Sequence, residues 1–415
     1  MSRLSILIAG NSIAGPITAY FLSRAGHTVT VIERYPSLHA SGQAVDIRTC
    51  GVSVMRHIPG METAVRAKST QEEGVSFMRD DGRSWGVIRA TGSAEQQGIV
   101  SEFEIFRGDL AQILSDLTKD DRNVKHVFDE QIVSISQSDK SIRVEFAKRK
   151  QPEGYDLVVA CDGATSRTRA MGFECGVREH IVSTNSWAAY FSTKQDLLAG
   201  TRVGQGCSAP GGRFVSIGSD PAGGNRVLLQ CVNSPDGTRA FRKALAKGDE
   251  ELKRYIAQHY RGAGWKTDLL MQEMMESEDL YASEIVQVKM PTLSKGRFVL
   301  VGDAGYAAGP TGGGTSLAMA GGYLLAGEIS KHPGDLAAGL RGYEEQMSPL
   351  IQEMQKIPPL VSTIMAPQTA GGIWLRNRIF ALVAWSGIAE WVQKYLGAAF
   401  ADSSEFPLPD YDWAR

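Results

Sequence analysis

Hydrophobic positions near the start of the chain follow two different spacings. An unbroken apolar run, Leu4 to Ala9, leads into the turn Gly10-Asn-Ser-Ile-Ala-Gly15. The stretch PITAYFLSRAG then repeats its apolar residues at helical spacing, and TVTVIER returns to a strand pattern. A buried-type strand, a glycine turn, an amphipathic helix and a second strand predict one βαβ unit. Further along, the spacing predicts a helix over Gly108 to Thr118, followed by the strand-like HVFDEQIVSISQ and SIRVEFA divided by the polar turn SDK. YDLVVACDG reads as a buried strand ending in Asp-Gly.

From about Gly172 to Val286 the pattern changes to short alternating strands such as RFVSIGS and RVLLQCV, then to the helical RAFRKALAKGDEELKRYIAQHY. This predicts a second domain, a sheet with helices on one side. The α/β pattern resumes with GRFVLVGDAG and a long glycine-rich helix from Gly312 to about Ser330. A largely helical tail closes the chain, broken by Pro358, Pro359 and Pro367.

Composition narrows the function classes. Hydrophobic residues make up 43% and charged residues 22% of the 415 positions, which argues for a folded globular chain and against disorder. A formal net charge of -2 gives no basic footprint for nucleic acid. The five cysteines, Cys50, Cys161, Cys175, Cys207 and Cys231, contain no CxxC pair and are odd in number. They support neither a disulfide framework nor a zinc site, and fit a reducing cytoplasmic setting. His180, His259 and the remaining histidines lack metal-ligand spacing, so no metal is expected. The N-terminal apolar run is too short for a secretory core. Trp374 to Gly397 is rich in apolar and aromatic residues but is interrupted by Arg376, Arg378, Glu390 and Lys394, so no membrane span is expected.

Three glycine- and acid-bearing segments carry the candidate chemistry, and each fits a different part of one flavin dinucleotide. Gly10, Ser12, Ile13, Ala14 and Gly15 lie between a strand and a helix, where backbone N–H groups and the positive helix end hold a pyrophosphate. Glu33, at the end of the second strand, is placed to accept from adenosine ribose hydroxyls. In Cys161-Asp162-Gly163-Ala-Thr-Ser166-Arg-Thr-Arg169, Asp162 is either an N-cap or a ligand-binding acid. Gly302-Asp303-Ala304 ends a strand, and Pro310-Thr-Gly-Gly313-Gly314 leads into a helix. That arrangement aims an acid at a hydroxyl chain and a helix N-terminus at something anionic.

These segments, together with Gly42-Gln-Ala-Val-Asp46-Ile-Arg48 and Glu104-Ile-Phe-Arg107-Gly-Asp-Leu110, resemble the FAD-dependent aromatic monooxygenases of the para-hydroxybenzoate hydroxylase type. The likeness covers most of the chain and is nearest to the tetracycline-inactivating flavin monooxygenases and related natural-product enzymes. The ending Leu408-Pro-Asp-Tyr411 also looks like relatives. The resemblance implies an α/β fold: an FAD-binding Rossmann-like domain from residues 1–72, 98–171 and 285–345, a β-sheet substrate domain from 73–97 and 172–284, and C-terminal helices from 346–415. It places Arg34 near the adenine, Arg107 near the pyrophosphate and ribityl chain, and Asp303 on the ribityl hydroxyls. Pro310, Gly313 and Gly314 would line the flavin ring, with Asp46 and Arg48 nearby, and Asp162 would serve both the pyrophosphate and the approach of NAD(P)H. Arg213, Tyr190 and Trp187 lie on strands of the sheet whose face covers the substrate in this family, and each reads equally well as a core or surface residue. Two departures stand out: Ser12 replaces the usual glycine, and Gly305-Tyr306-Ala-Ala stands where many relatives have Ala-His and apolar residues.

The activity implied by the resemblance is oxygenation of an aromatic or polycyclic small molecule. NADPH or NADH reduces FAD, O2 adds at the flavin C4a, and the resulting hydroperoxide delivers oxygen. The alternative is a flavoprotein that binds, sequesters or cyclises its ligand without net oxygenation. An FAD halogenase is disfavoured because the WxWxIP string is missing. The residues single out no catalytic acid or base, and both a monomer and a homodimer are compatible with the sequence.

Overall fold

The computed structural model describes residues 3–38, 42–90, 101–221, 223–357, 364, 366–386 and 407–413. The expectations involving Ser41, Pro358, Pro359, Glu390, Lys394 and Gly397 fall outside these residues. The chain begins with β1 (Ser5–Ala9), α1 (Ala14–Arg24), β2 (Thr28–Ile32), β3 (Ala44–Asp46), α2 (Cys50–Arg56) and α3 (Met61–Lys68). It continues through β4 (Gly74–Met78), β5 (Ser84–Arg89), β6 (Glu104–Phe106), α4 (Arg107–Asp116) and β7 (Val124–Val127). Next come β8 (Ile132–Gln137), β9 (Ile142–Phe146), β10 (Glu153–Tyr155), β11 (Leu157–Ala160) and α5 (Arg167–Phe173). Then follow β12 (Ile181–Thr193), β13 (Val203–Ala209), β14 (Arg213–Ser219), β15 (Asn225–Val232), α6 (Pro235–Ala246), α7 (Asp249–His259) and α8 (Thr267–Glu276). The last elements are β16 (Tyr281–Val288), β17 (Ser294–Lys295), β18 (Phe298–Leu300), α9 (Asp303–Tyr306), α10 (Gly314–Lys331), α11 (Leu336–Met354) and α12 (Ala370–Trp385).

The apolar runs β1, β11 and β18 form the centre of a six-stranded sheet ordered β17-β18-β11-β1-β2-β7, parallel except for β17. Ile6, Ile8, Val29, Val31 and Val159 pack to one side with α1 and α10, whereas Leu7, Val158, Phe298 and Leu300 pack to the other with the ribbon β8–β10. Coverage of both faces is the reason these strands are continuously apolar instead of alternating.

The seven-stranded sheet, ordered β16-β12-β15-β14-β13-β4-β5, behaves differently. Trp187, Phe191, Val215, Ile217, Val227, Leu229 and Cys231 lie beneath α6, α7 and α8 in a closed core. Intervening residues such as Arg226, Leu228 and Gln230 on β15 are only half-buried. One face is therefore sealed and the other opens toward the six-stranded half, where Arg226 stacks on Phe106 and Arg107 faces Tyr281.

Two stretches that read as continuous are divided. HVFDEQIVSISQ breaks at Asp129, which adopts a φ of 59°, and its halves β7 and β8 join different sheets. The helical pattern after Arg239 splits into α6 and α7 at Gly248, with a φ of 99°. Helix α11 runs unbroken across the boundary expected at 345–346. No helix among the described residues is long and apolar enough to cross a membrane.

Tyr306, the departure from the relatives' pattern, points into the core. It is 1% exposed, and its hydroxyl shares a hydrogen bond with Tyr343, which in turn donates to the Leu300 carbonyl. Helix α10 accommodates the phenol by carrying Gly321, where an added Cβ would fall 1.9 Å from the Tyr306 hydroxyl oxygen. Gly321→Ala should therefore cost about 1–3 kcal/mol through overpacking, and Tyr306→Phe in the same chain should return part of that loss. Urea denaturation of both single variants and the double variant checks this; strictly additive losses would refute the steric explanation.

Candidate functional site

The C-terminal ends of β1, β11 and β18 lie side by side, so the turns that follow them meet, as expected at the ligand-binding edge of a parallel sheet. Gly10 has a φ of 108°, and a Cβ there would lie 2.5 Å from the Cys161 carbonyl oxygen. The first turn therefore needs glycine at this position to fit against the second. Ile13 and Ala14 are buried at the start of α1, whose N-terminus has no side-chain cap, while Ser12 is half-buried. Glu33 accepts from the backbone N–H of Asn11 at 3.0 Å and of Tyr35 at 3.1 Å, fixing the turn to the end of β2. The Asn11 side chain is 2% exposed and its Oδ1 has no hydrogen-bond partner. Arg34 is exposed and lines a surface cavity of about 300 Å³ with Tyr35, Asp129, Glu130, Gln131, Ala147 and Lys148.

Asp162 has its carboxylate engaged within its own turn. It accepts from the Ser166 hydroxyl and, at 2.8 and 3.1 Å, from the Thr168 hydroxyl and backbone N–H. The N-cap of α5 is Ser166, whose hydroxyl oxygen accepts from the Arg169 backbone N–H at 2.8 Å, and Asp162 braces that cap and the first turn from four residues earlier. Arg169, six residues after Gly163, is 0% exposed. Its guanidinium donates to the carbonyls of Ala304 at 2.7 Å, Ala164 at 3.0 Å and Val177 at 2.7 Å. The second segment is thereby tied directly to the Gly302-Asp303-Ala304 turn. Sequence reading included Arg169 in the motif without assigning it this role.

Asp303 is exposed at its surface, although protein crowds closely around its carboxyl. Desolvation by that surrounding protein raises its pKa, and the nearby Arg107 charge acts in the opposite direction. Gly314 at the start of α10 lies beside it, with its Cβ position 3.6 Å from an Asp303 carboxylate oxygen. Pro310, Gly313 and Gly314 are half-buried along the same rim. Arg107 opens α4, donates its backbone N–H to the Gln43 carbonyl at 3.0 Å, and lays its side chain against Gly42.

Arg48 and Asp46 form an ion pair at 3.1 Å with side chains 14% and 26% exposed, so this pair is largely enclosed. The Arg48 backbone exchanges two hydrogen bonds with the Ser316 hydroxyl in the first turn of α10, at 2.9 and 2.7 Å. Asp46 and Arg48 are thus brought to the rim formed by Pro310 to Gly314. The next residue, Thr49, is held at a φ of 45°, a region that β-branched residues rarely enter.

Two acids to which sequence reading gave no role join this cluster: Glu104, quoted only as part of a motif, and Glu72. Glu104 stands opposite Asp46 in the β3–β6 pair, and Glu72 reaches over Gly204 and Gly218. Desolvation, with the Asp46 charge added, raises the Glu104 pKa; desolvation, with the Glu104 charge added, raises that of Glu72. They went unassigned because they belong to separate segments and converge only where the two sheets meet.

The expected substrate-face residues divide. Tyr190 lies on the half-buried face of the seven-stranded sheet, paired with Tyr281 and Leu228. Arg213 is turned to the helix-covered side, where it donates to the carbonyls of Pro210, His259 and Arg261. Trp187 lies on that sealed side too, stacked on Phe241 with ring centroids 4.8 Å apart. Both corrections follow from strand parity: these two residues occupy positions pointing at α6 and α7.

Two measurements test this architecture. Arg169→Met leaves three enclosed carbonyls without their donor and should lower stability by about 3–5 kcal/mol, read by denaturant unfolding; a loss below 1 kcal/mol would show that the guanidinium is dispensable. The acid pair sets a pH dependence. Carboxyl pKa values raised by folding mean that the folded chain binds protons more tightly than the unfolded one. Their contribution therefore weakens as pH rises from the ordinary carboxylate range through the raised folded values, then levels off. Glu72→Gln should accordingly gain stability over the parent chain as pH increases across that window. A pH-independent difference in Tm between the two proteins would contradict it.

Residues 3–356 match the family model described as an FAD binding domain. Monooxygenase CTB7 of Cercospora beticola is 30% identical over 421 residues, covering 99% of this chain and 98% of its own. The FAD-dependent monooxygenase asL4 of Sarocladium schorii is 30% identical over 439 residues, covering 99% of each chain. The crystal structure of tetracycline destructase Tet(51) superposes with a TM-score of 0.79 at 26% identity, covering 99% of this chain and 100% of that one. With its site built at the joined ends of β1, β11 and β18, the chain belongs to the FAD-binding-domain family and is a flavin-dependent monooxygenase of the class A aromatic hydroxylase type.

Proposed function

We propose that the protein uses NAD(P)H and O2 to place one oxygen atom on an aromatic or polycyclic small molecule held between the 302–314 rim and the half-buried face of the seven-stranded sheet. The observation that carries this reading is the asymmetry of that sheet: helices close one face, while Tyr190, Leu228, Tyr281 and their neighbours form a wall opposite the flavin-side residues.

The residues present fit FAD. The Gly10 turn has room for nothing bulkier than glycine, Asn11 keeps an unpartnered buried oxygen, and Asp303 offers an exposed carboxyl beside Arg107 and the start of α10. Glu33 and Arg34 would hold the adenosine end, the Gly10 to Gly15 turn the pyrophosphate, and Arg107 and Asp303 the ribityl chain. Pro310, Gly313 and Gly314 would lie at the ring, with Asp46 and Arg48 at its edge. The bound flavin, once reduced by NAD(P)H, would supply the activation of O2. The chain supplies the remainder: the α10 N-terminus favours negative charge by about 0.3–1 kcal/mol or more when enclosed, Arg48 is held in place by Asp46 and Ser316, and the aromatic wall excludes water.

A screen of phenols, anthraquinones, indole alkaloids and tetracyclines for stimulated NADPH and NADH oxidation, with product masses recorded, tests the proposal. The expected result is strong stimulation by at least one polycyclic compound and a product heavier by one oxygen. A flavin-loaded protein that binds such compounds without consuming either nicotinamide would instead indicate sequestration or redox-neutral cyclisation.

A further inference from the structure

One row of residues crosses the open sheet face from edge to edge. Phe77 on β4 pairs with Gly206 on β13, Gly206 with Ser216 on β14, Ser216 with Leu228 on β15, Leu228 with Tyr190 on β12, and Tyr190 with Tyr281 on β16. Five strand spacings make this row about 24 Å long. A guanidinium stands at each end. Arg107, beside Asp303, faces the Tyr281 ring with its centre 5.8 Å from the centroid. Arg376, from α12, lies 4.1 Å above the Phe77 ring.

Arg376 is placed by close packing. Helix α12 seats Ala384 against Gly86 of β5, where a Cβ would lie 2.7 Å away. The guanidinium donates to the Ser208 hydroxyl at 2.9 Å, the Asn377 side-chain oxygen at 2.9 Å and the Ile364 carbonyl at 3.3 Å. All three acceptors are neutral. Among the described residues no carboxylate pairs with Arg376, whereas Arg226 on the same sheet face holds both Asp220 and Asp279 at 2.9 Å. Three of its five N–H groups are occupied, leaving two. Desolvation lowers its pKa to about 10, with Cys207 acting in the opposite direction. The adjacent surface is aromatic: Phe77 meets Phe380 edge to face at 4.7 Å and lies 6.1 Å from Phe214. Arg169 also lacks a paired carboxylate and makes three bonds, but it is wholly buried and closed off from any ligand, whereas Arg376 is half-buried on the open face.

We propose that Arg376 is a specificity-determining residue that recognises the anionic group of a flat aromatic substrate, a carboxylate or an ionised enol, at the β4 end of the sheet face. The Phe214 ring fills the place of a side chain at Gly206, where a Cβ would lie 2.6 Å from it, so the substrate rings would lie over Phe214 and Ser216 between this anchor and the flavin end. A planar fork with free N–H groups beside aromatic walls suits such an anion better than a neutral ring. This assignment rests on the substrate face described under Proposed function and narrows its occupant to an acidic polycyclic class.

The test uses the flavin-loaded full chain with 3-hydroxy-2-naphthoate and its uncharged carboxamide as probes, their binding measured by calorimetry at neutral pH. The wild type should bind the acid at least tenfold more tightly than the amide. Arg376→Gln should erase that preference, Arg376→Lys should keep part of it, and Arg378→Gln on the same helix should leave it intact. A preference that survives Arg376→Gln, or none in the wild type, overturns the proposal. Should Arg376→Gln fail to fold, phenylglyoxal labelling of the wild type decides: the naphthoate should slow modification of Arg376 at least fivefold and the amide should not, and equal labelling rates overturn the assignment. Arg376-dependent binding in a protein that never consumes NAD(P)H would uphold this inference and sink the oxygenase proposal. Oxygenation without Arg376-dependent discrimination would do the reverse.

Discussion

The Arg169 guanidinium joins the parts of the site that the chain supplies from distant places. It is fully enclosed and donates to carbonyls in its own turn, in the stretch leading to β12, and in the turn after β18. Burying a cation is costly, and the structure tolerates it because three carbonyl dipoles converge on one planar fork and the Asp162 charge acts on it from nearby. Those bonds fix Ala304 relative to Ala164, and hence Asp303 relative to Gly163. Since Cys161 packs directly on Gly10, the three turns behave as one rigid edge. A ligand meeting that edge finds a backbone cradle, a carboxyl and a helix N-terminus already arranged, so little ordering cost falls on binding.

The flavin-side half was legible in the sequence because its determinants are local. Strand, glycine and helix follow one another within a few residues around Gly10, Asp162 and Asp303, and each pattern has a physical cause close by in the chain. The six-stranded sheet was equally readable, because burial on both faces leaves continuous apolar runs at β1 and β11. Asp162 shows the limit of that legibility: an acid at the start of a helix reads the same way whether it caps the helix or awaits a ligand, and only its bonds to Ser166 and Thr168 settle the side chain's engagement.

The substrate half was less legible, for reasons of parity and distance. Alternation along β12 and β14 marks two faces but does not say which one helices will cover, and on that choice Trp187 and Arg213 went to the sealed side while Tyr190 went to the open one. Asp46, Glu72 and Glu104 come from three separate strands or loops, and nothing local to any of them announces the others. Tyr306 is a related case. Its place in the chain marked it only as a departure from the relatives' pattern, and Gly321, fifteen residues on, gives the phenol a core position.

The contrast between the two halves bears on how such a fold diversifies. The edge formed by the three turns is constrained by close approaches, at Gly10, at Arg169 and at the Arg48 to Ser316 bonds, where small changes bring backbone into collision or leave carbonyls unpaired. The close approaches on the open sheet face, at Gly206, Gly218 and Gly86, meet side chains of Phe214, Glu72 and Ala384, which can be exchanged. The residues of that face alternate with a core that α6 to α8 stabilise independently, so a side chain at Phe77, Ser216, Leu228 or Tyr190 can change without disturbing what lies behind it. Rigid geometry where the cofactor chemistry must be repeated, beside a replaceable wall where the substrate is chosen, lets one architecture keep its reaction and alter its target.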